Sequence, residues 1–191
     1  MTRLLPAAAL QHLRRVRLWL DLDPSGFLAA FYVASPINHD DKRTVRYGDV
    51  QGAMYQGAVF PNIIQLLERS DYSKGTPAVL HELAHAYHYQ VLGAWNSEIE
   101  QTYAAAKAKG LYRNLSYRNG SIAPVGYAMS NEREYFAVLT ATYFGKSDQA
   151  PFDADELKSY DPDGFRLIER AWNGALESIA PVKTVACRSP A

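Results

Sequence analysis

The chain has 191 residues, 48% of them apolar, with 20 basic and 20 acidic side chains and a single cysteine. That length suits one folded domain with a sizeable core, and the composition excludes both a disordered chain and a cystine-stapled scaffold. The balanced charge leaves no electrostatic footprint for nucleic acid or an anionic membrane, and no run approaches the about 18 apolar residues of a membrane span.

The start, Met1 to Leu10, carries Arg3 and a short apolar run broken by Pro6, with Arg14 and Arg15 beyond it. It reads as a short helix, not a signal peptide. Residues 16–22 place Val16, Leu18, Leu20 and Leu22 at period two, which predicts a strand. Phe27 to Ala34 predicts its partner across the turn Asp23-Pro24-Ser25-Gly26. Residues 35–48 read as loop. Gly52 to Phe60 reads as one or two further strands ended by Pro61, and Asn62 to Arg69 as the start of a short helix.

The strongest helix signal comes next. Thr76 is an N-cap candidate, Pro77 fits the first helical position and Gly93 fits just past the end. Val79, Leu80, Leu83, Ala84, Tyr87 and Val91 supply its apolar faces. Ser97 with Glu100 forms a capping box for a second helix closed by Gly110. Asn119-Gly120 predicts a hairpin between 111–118 and 121–127. Asn131 caps a helix over 132–144 that Gly145 ends, and a last helix is expected from Pro162 to about Ile179, with Phe165, Ile168, Ala171, Trp172 and Ala175 at helical spacing. Residues 1–180 are expected to form a single domain and 181–191 a tail, in which Cys187 is incidental.

One motif carries chemistry. His81-Glu82-Leu83-Ala84-His85 is H-E-x-x-H on the strongest helix. Residues four apart share a helix face, so His81 and His85 can point two imidazoles at one metal ion. Glu82 stands where its carboxylate can reach a water on that metal, as zinc-dependent peptide hydrolysis requires. A catalytic zinc takes a third protein ligand. The metzincin continuation fails, because position 88 is His where Gly is required and position 91 is Val where His is required. A carboxylate from a later helix is the remaining option, and Asn131-Glu132-Arg133-Glu134 offers two. Periodicity does not choose between Glu132 and Glu134.

The segments His81-Glu82-Leu83-Ala84-His85-Ala86-Tyr87-His88 and Asn131-x-x-Glu134-Tyr135-Phe136-Ala137 resemble the gluzincin peptidases related to the catalytic domain of anthrax lethal factor, a group that includes secreted Pro-Pro endopeptidases. The likeness is specific over residues 76–145, loose over the N-terminal strands and confined to the catalytic module. It implies one Zn2+ per chain, held by His81, His85 and a glutamate on the following helix, with a tyrosine seven residues before that glutamate facing the site. Tyr127 stands seven before Glu134, whereas Val125 stands seven before Glu132. The resemblance therefore selects Glu134 as ligand and Tyr127 as catalytic tyrosine. It implies an α+β, zincin-like fold: a small mixed sheet packed on the H-E-x-x-H helix, then a mainly helical C-terminal part. It also implies a protein or peptide substrate, with Glu82 as general base and Tyr127 as a hydrogen-bond donor to the oxyanion. A secreted location is implied too, although Met1–Leu10 does not read as a signal. An edge strand in Gly52–Phe60 is a candidate for pairing with extended substrate.

Plainer readings stand beside these. Glu134 at the third helical position could complete a capping box with Asn131, and Glu132 could be first-turn helix charge. Tyr127 could be one packed tyrosine among 13. His88 shares the face of His81 and His85; a fourth metal contact would close the open position a catalytic zinc needs, so a role behind the ligands or on the substrate side, or plain packing, is expected. Asp153 to Glu156 reads as surface or a helix start rather than a calcium site. Two other functions remain compatible with the motif: a zinc-bound binding or surface module without protease activity, and hydrolysis of another amide such as a cell-wall cross-link.

Overall fold

The computed structural model describes residues 5–16, 18, 29–32, 58–61, 72–93 and 95–176. The fold is α+β and mostly helical. Its first helix, α1 (Ala7–Leu13), lies in the segment expected to be helical and buries Ala9 and Leu13. Strands β1 (Ala29–Tyr32) and β2 (Ala58–Pro61) pair antiparallel, with Ala29 opposite Pro61 and Tyr32 opposite Ala58. Both lie against α2 (Tyr72–Tyr87). Of the strand expected over 16–22, only Val16 and Leu18 are described. Its pairing with 27–34, the loop 35–48, the helix 62–69, most of Gly52–Phe60 and the tail with Cys187 lie outside the described residues.

Helix α2 begins earlier than its cap signals suggest. Tyr72 is its first residue, so Thr76 and Pro77 fall inside it and Thr76 is not the N-cap. Local propensity is a weak prior that the surrounding structure overrides. The far end is as expected, with Gly93 at φ 89 ending the helix, but the last turn, His88–Leu92, is π-helical. Helix α3 (Ser97–Ala108) also shifts by one residue. Its cap is Asn96, whose side chain accepts from the amides of Glu98 and Ile99, so Ser97 is the first helical residue. Asn and Ser are near-equal caps, and neighbouring candidates are not separable by type alone.

The hairpin forms around Asn119-Gly120. Strands β3 (Arg113–Ser116) and β4 (Ile122–Val125) pair antiparallel with Leu115 opposite Ala123. Among the described residues both strand pairings are antiparallel and neither joins the other, so the mixed sheet expected from the resemblance is not seen there. A turn as tight as 117–121 can return the chain only antiparallel.

A short 3-10 turn (Tyr127–Met129) leads into α4 (Glu132–Phe144). Asn131 caps α4 and Gly145 ends it, as expected. From Tyr135 to Phe144 the sequence is apolar on almost every side, the pattern of a helix surrounded by others. Accordingly α4 packs against α2, α3, α5 (Ala154–Tyr160) and α6 (Pro162–Trp172). Asp153 caps α5, so the acidic stretch is a helix start. Helix α6 ends at Trp172, short of the expected Ile179, because Gly174 takes φ 72 and its amide and that of Ala175 return to the carbonyls of Ala171 and Arg170. This glycine closure is a standard helix stop.

Trp172 decides how the helices sit. It is 2% exposed and stacks on Tyr87 of α2 at 4.2 Å between ring centres. Its other neighbours are Phe136 and Phe144 of α4, and its Nε1 donates to Thr140 Oγ1 at 3.1 Å. The Tyr87 hydroxyl donates to the Ala171 carbonyl at 3.3 Å. One tryptophan thus holds α2 and α4 in fixed relation.

Candidate metal centre

His81 and His85 stand one turn apart on α2, with their rings edge-on at 4.7 Å and 87°. Both are partly buried, because the face that carries them is turned to α4. Their Nε2 atoms are 3.1 Å apart. Glu134 reaches them from the first turn of α4: its Oε2 lies 2.9 Å from His81 Nε2 and 3.4 Å from His85 Nε2. Residues 53 apart in sequence are brought together by the packing of α4 on α2.

The cap of α4 is made by the side chain of Asn131. Asn131 Oδ1 accepts from the amides of Arg133 and Glu134, both at 3.0 Å. Asn131 thereby serves the helix end, while Oε2 of Glu134 is directed at the imidazoles. Glu132 instead lies with its Oε1 3.4 Å from Arg133 Nε, outside the cluster. Burial disfavours the charge of Glu134, but hydrogen bonding to His81 and His85 and the charge on those rings outweigh it. Its carboxyl is held well below the usual carboxylate range.

Among the described residues His81, His85 and Glu134 are the group of ligand atoms that could hold a metal ion. The donor set is two imidazole nitrogens and one carboxylate oxygen, which suits a borderline divalent cation. Glu82 follows His81 on α2 and is partly buried. Tyr127 is 57% exposed on the 3-10 turn, its ring 6.0 Å from that of His81.

His88 is not in the cluster. It is 3% exposed, packs at 5.3 Å on Phe136, and its Nε2 has no hydrogen-bond partner among the described residues. Burial, then the charges of His85 and Arg133, push its imidazole down to about 4. The π-helical turn that His88 opens carried no signal in the sequence, nor did the partners that gather around Asp161.

The chain matches no protein-family model, no curated protein and no solved structure.

Proposed function

We propose that the protein is a zinc-dependent endopeptidase of gluzincin type with a zincin-like arrangement of α2 and α4. The observation that carries this reading is the His81–His85–Glu134 triangle, with sides of 2.9, 3.1 and 3.4 Å. Ligand atoms about 2.0–2.1 Å from a tetrahedral zinc lie about 3.3 Å apart, so the three donors fit three corners of such a site. The β1–β2 pair against α2 and the exposed ring of Tyr127 beside His81 agree with the same arrangement.

Zinc, when bound, lowers the pKa of a water to about 7 and polarises a peptide carbonyl. The chain's own residues do the rest. Glu82 takes the proton from the attacking water and returns it to the leaving amine. Tyr127 donates a hydrogen bond to the carbonyl oxygen as negative charge develops there, a contribution on the order of 3 kcal/mol at comparable sites. Glu134 serves as a charged ligand beside the two imidazoles.

Elemental analysis and cleavage of a broad peptide library test the reading together. Wild type is expected to carry about one zinc per chain, as a site with three protein ligands requires. Glu134→Ala is expected to lose zinc, and Glu82→Ala to keep zinc and lose cleavage. Wild type that stays zinc-free after reconstitution refutes the metal reading. Wild type that holds zinc and cleaves nothing refutes the peptidase and leaves a zinc-bound module.

A further inference from the structure

Asp161 is the most enclosed carboxylate among the described residues, 1% exposed, and the proposed chemistry does not use it. It sits between α5 and α6. Its Oδ1 accepts from the Gly164 amide at 3.0 Å as the cap of α6. Its Oδ2 accepts from two phenols, Tyr112 at 2.9 Å and Tyr135 at 2.6 Å. Burial, followed by the Asp161 charge, pushes both phenols up, so they remain donors.

Each tyrosine leads to a different part of the candidate centre. Tyr135 follows Glu134 in α4. The Tyr112 carbonyl accepts from the Gly126 amide at 2.7 Å, immediately before Tyr127. The Tyr127 turn is held again at its far end, where the Tyr103 hydroxyl donates to the Met129 carbonyl at 3.0 Å. The Tyr103 and Tyr112 rings meet Tyr135 at 5.8 and 5.9 Å.

Tyr112 also carries backbone strain. Its φ is 62, a conformation that a bulky L residue adopts at a cost of about 1–3 kcal/mol and only where its surroundings impose it. Here the surroundings are the Asp161 carboxylate on its hydroxyl, the Gly126 amide on its carbonyl and the Tyr160 hydroxyl, which accepts from its amide at 2.6 Å. Gly126 is closely packed as well, since a Cβ there would meet Leu115 Cδ1 at 2.6 Å.

We infer that Asp161 is a positioning residue for the metal centre: through Tyr135 it sets the first turn of α4 and hence Glu134, and through Tyr112 and Gly126 it sets the turn that carries Tyr127. This rests on the metallopeptidase reading above. It makes the two arms separable, because Glu134 is a ligand and Tyr127 is not.

The test measures Co2+ affinity by the visible absorption of the bound ion, with the unfolding midpoint and peptide turnover, for wild type, Asp161→Asn, Tyr135→Phe and Tyr112→Phe. Asp161→Asn and Tyr135→Phe are expected to bind Co2+ about tenfold more weakly, with a changed absorption band, as when a partner behind a metal ligand is lost. Tyr112→Phe is expected to bind Co2+ as wild type does and to lower kcat with little change in KM. If Asp161→Asn does not fold, the two tyrosine variants decide. The inference is overturned if Asp161→Asn and Tyr135→Phe are folded and bind Co2+ like wild type. It is equally overturned if all variants weaken in proportion to lost stability, which is what a purely structural role produces. Failure of wild type to bind Co2+ or Zn2+ overturns the metal reading itself, and this inference with it.

Discussion

His88 is expected to make the fold acid-labile in a pH window of its own. The imidazole is 3% exposed, and its pKa falls from 6.5 to about 4 through burial, then the charges of His85 and Arg133. The folded value lies below the unfolded one, so between them the unfolded chain binds the extra proton. Stability is therefore complete above about pH 6.5, declines as pH falls, and has lost its full increment below about pH 4. The gap between the two values corresponds to about 3 kcal/mol, a large share of the ~5–15 kcal/mol that holds a domain together. Glu134 behaves differently. Its carboxyl is depressed, so its contribution is present above its unfolded value of about 4.5 and is lost only as pH falls below that. The perturbation is His88→Leu, read by urea unfolding of metal-free protein from about pH 8 to about pH 4. Wild type is expected to lose about 3 kcal/mol more than the variant across that range. At the alkaline end the variant is expected to equal wild type or exceed it by about 1 kcal/mol, since it removes a buried nitrogen without a partner. Parallel stability curves for the two proteins would refute the reasoning.

Two stability expectations test the packing around the centre. The bond from Trp172 Nε1 to Thr140 Oγ1 is buried, so Trp172→Phe and Thr140→Val each strand one polar group; each is expected to cost about 2 kcal/mol, and the double variant about 1 kcal/mol less than their sum, measured as a denaturation cycle. Strict additivity would show that the bond contributes nothing. Gly164 allows no side chain, since a Cβ would meet Leu139 Cδ2 and the Tyr135 hydroxyl at 2.5 Å and Asp161 Oδ2 at 2.6 Å. Gly164→Ala is expected to lose about 1–3 kcal/mol by overpacking, and a thermal midpoint unchanged from wild type would contradict that contact.

The features legible in the sequence are those set by local backbone chemistry. Asn131 and Gly145 bound α4 because a cap acts on amides within a few residues of itself. Asn119-Gly120 marks the hairpin for the same reason, and the four-residue spacing of His81 and His85 needs only the pitch of one helix. Where two local signals compete, the structure takes the other one: Asn96 rather than Ser97 caps α3, and the Asn173-Gly174 stop ends α6 before Ile179. The start of α2 at Tyr72 rather than after Thr76 is a tertiary override.

What the tertiary structure decided, and spacing did not, is which carboxylate meets the two imidazoles. Glu132 and Glu134 share the first turn of α4 and lead into similar apolar faces, so spacing leaves them equivalent and only a family likeness separated them. The choice depends on how α4 is rotated against α2. That rotation is set by side chains distant in sequence: Trp172 wedged between Tyr87 and Phe136, and Asp161 holding the hydroxyl of Tyr135. By itself the sequence determined that a paired-histidine helix and a capped, glutamate-bearing helix exist. Their meeting in one donor cluster is a product of long-range packing, which no local pattern encodes.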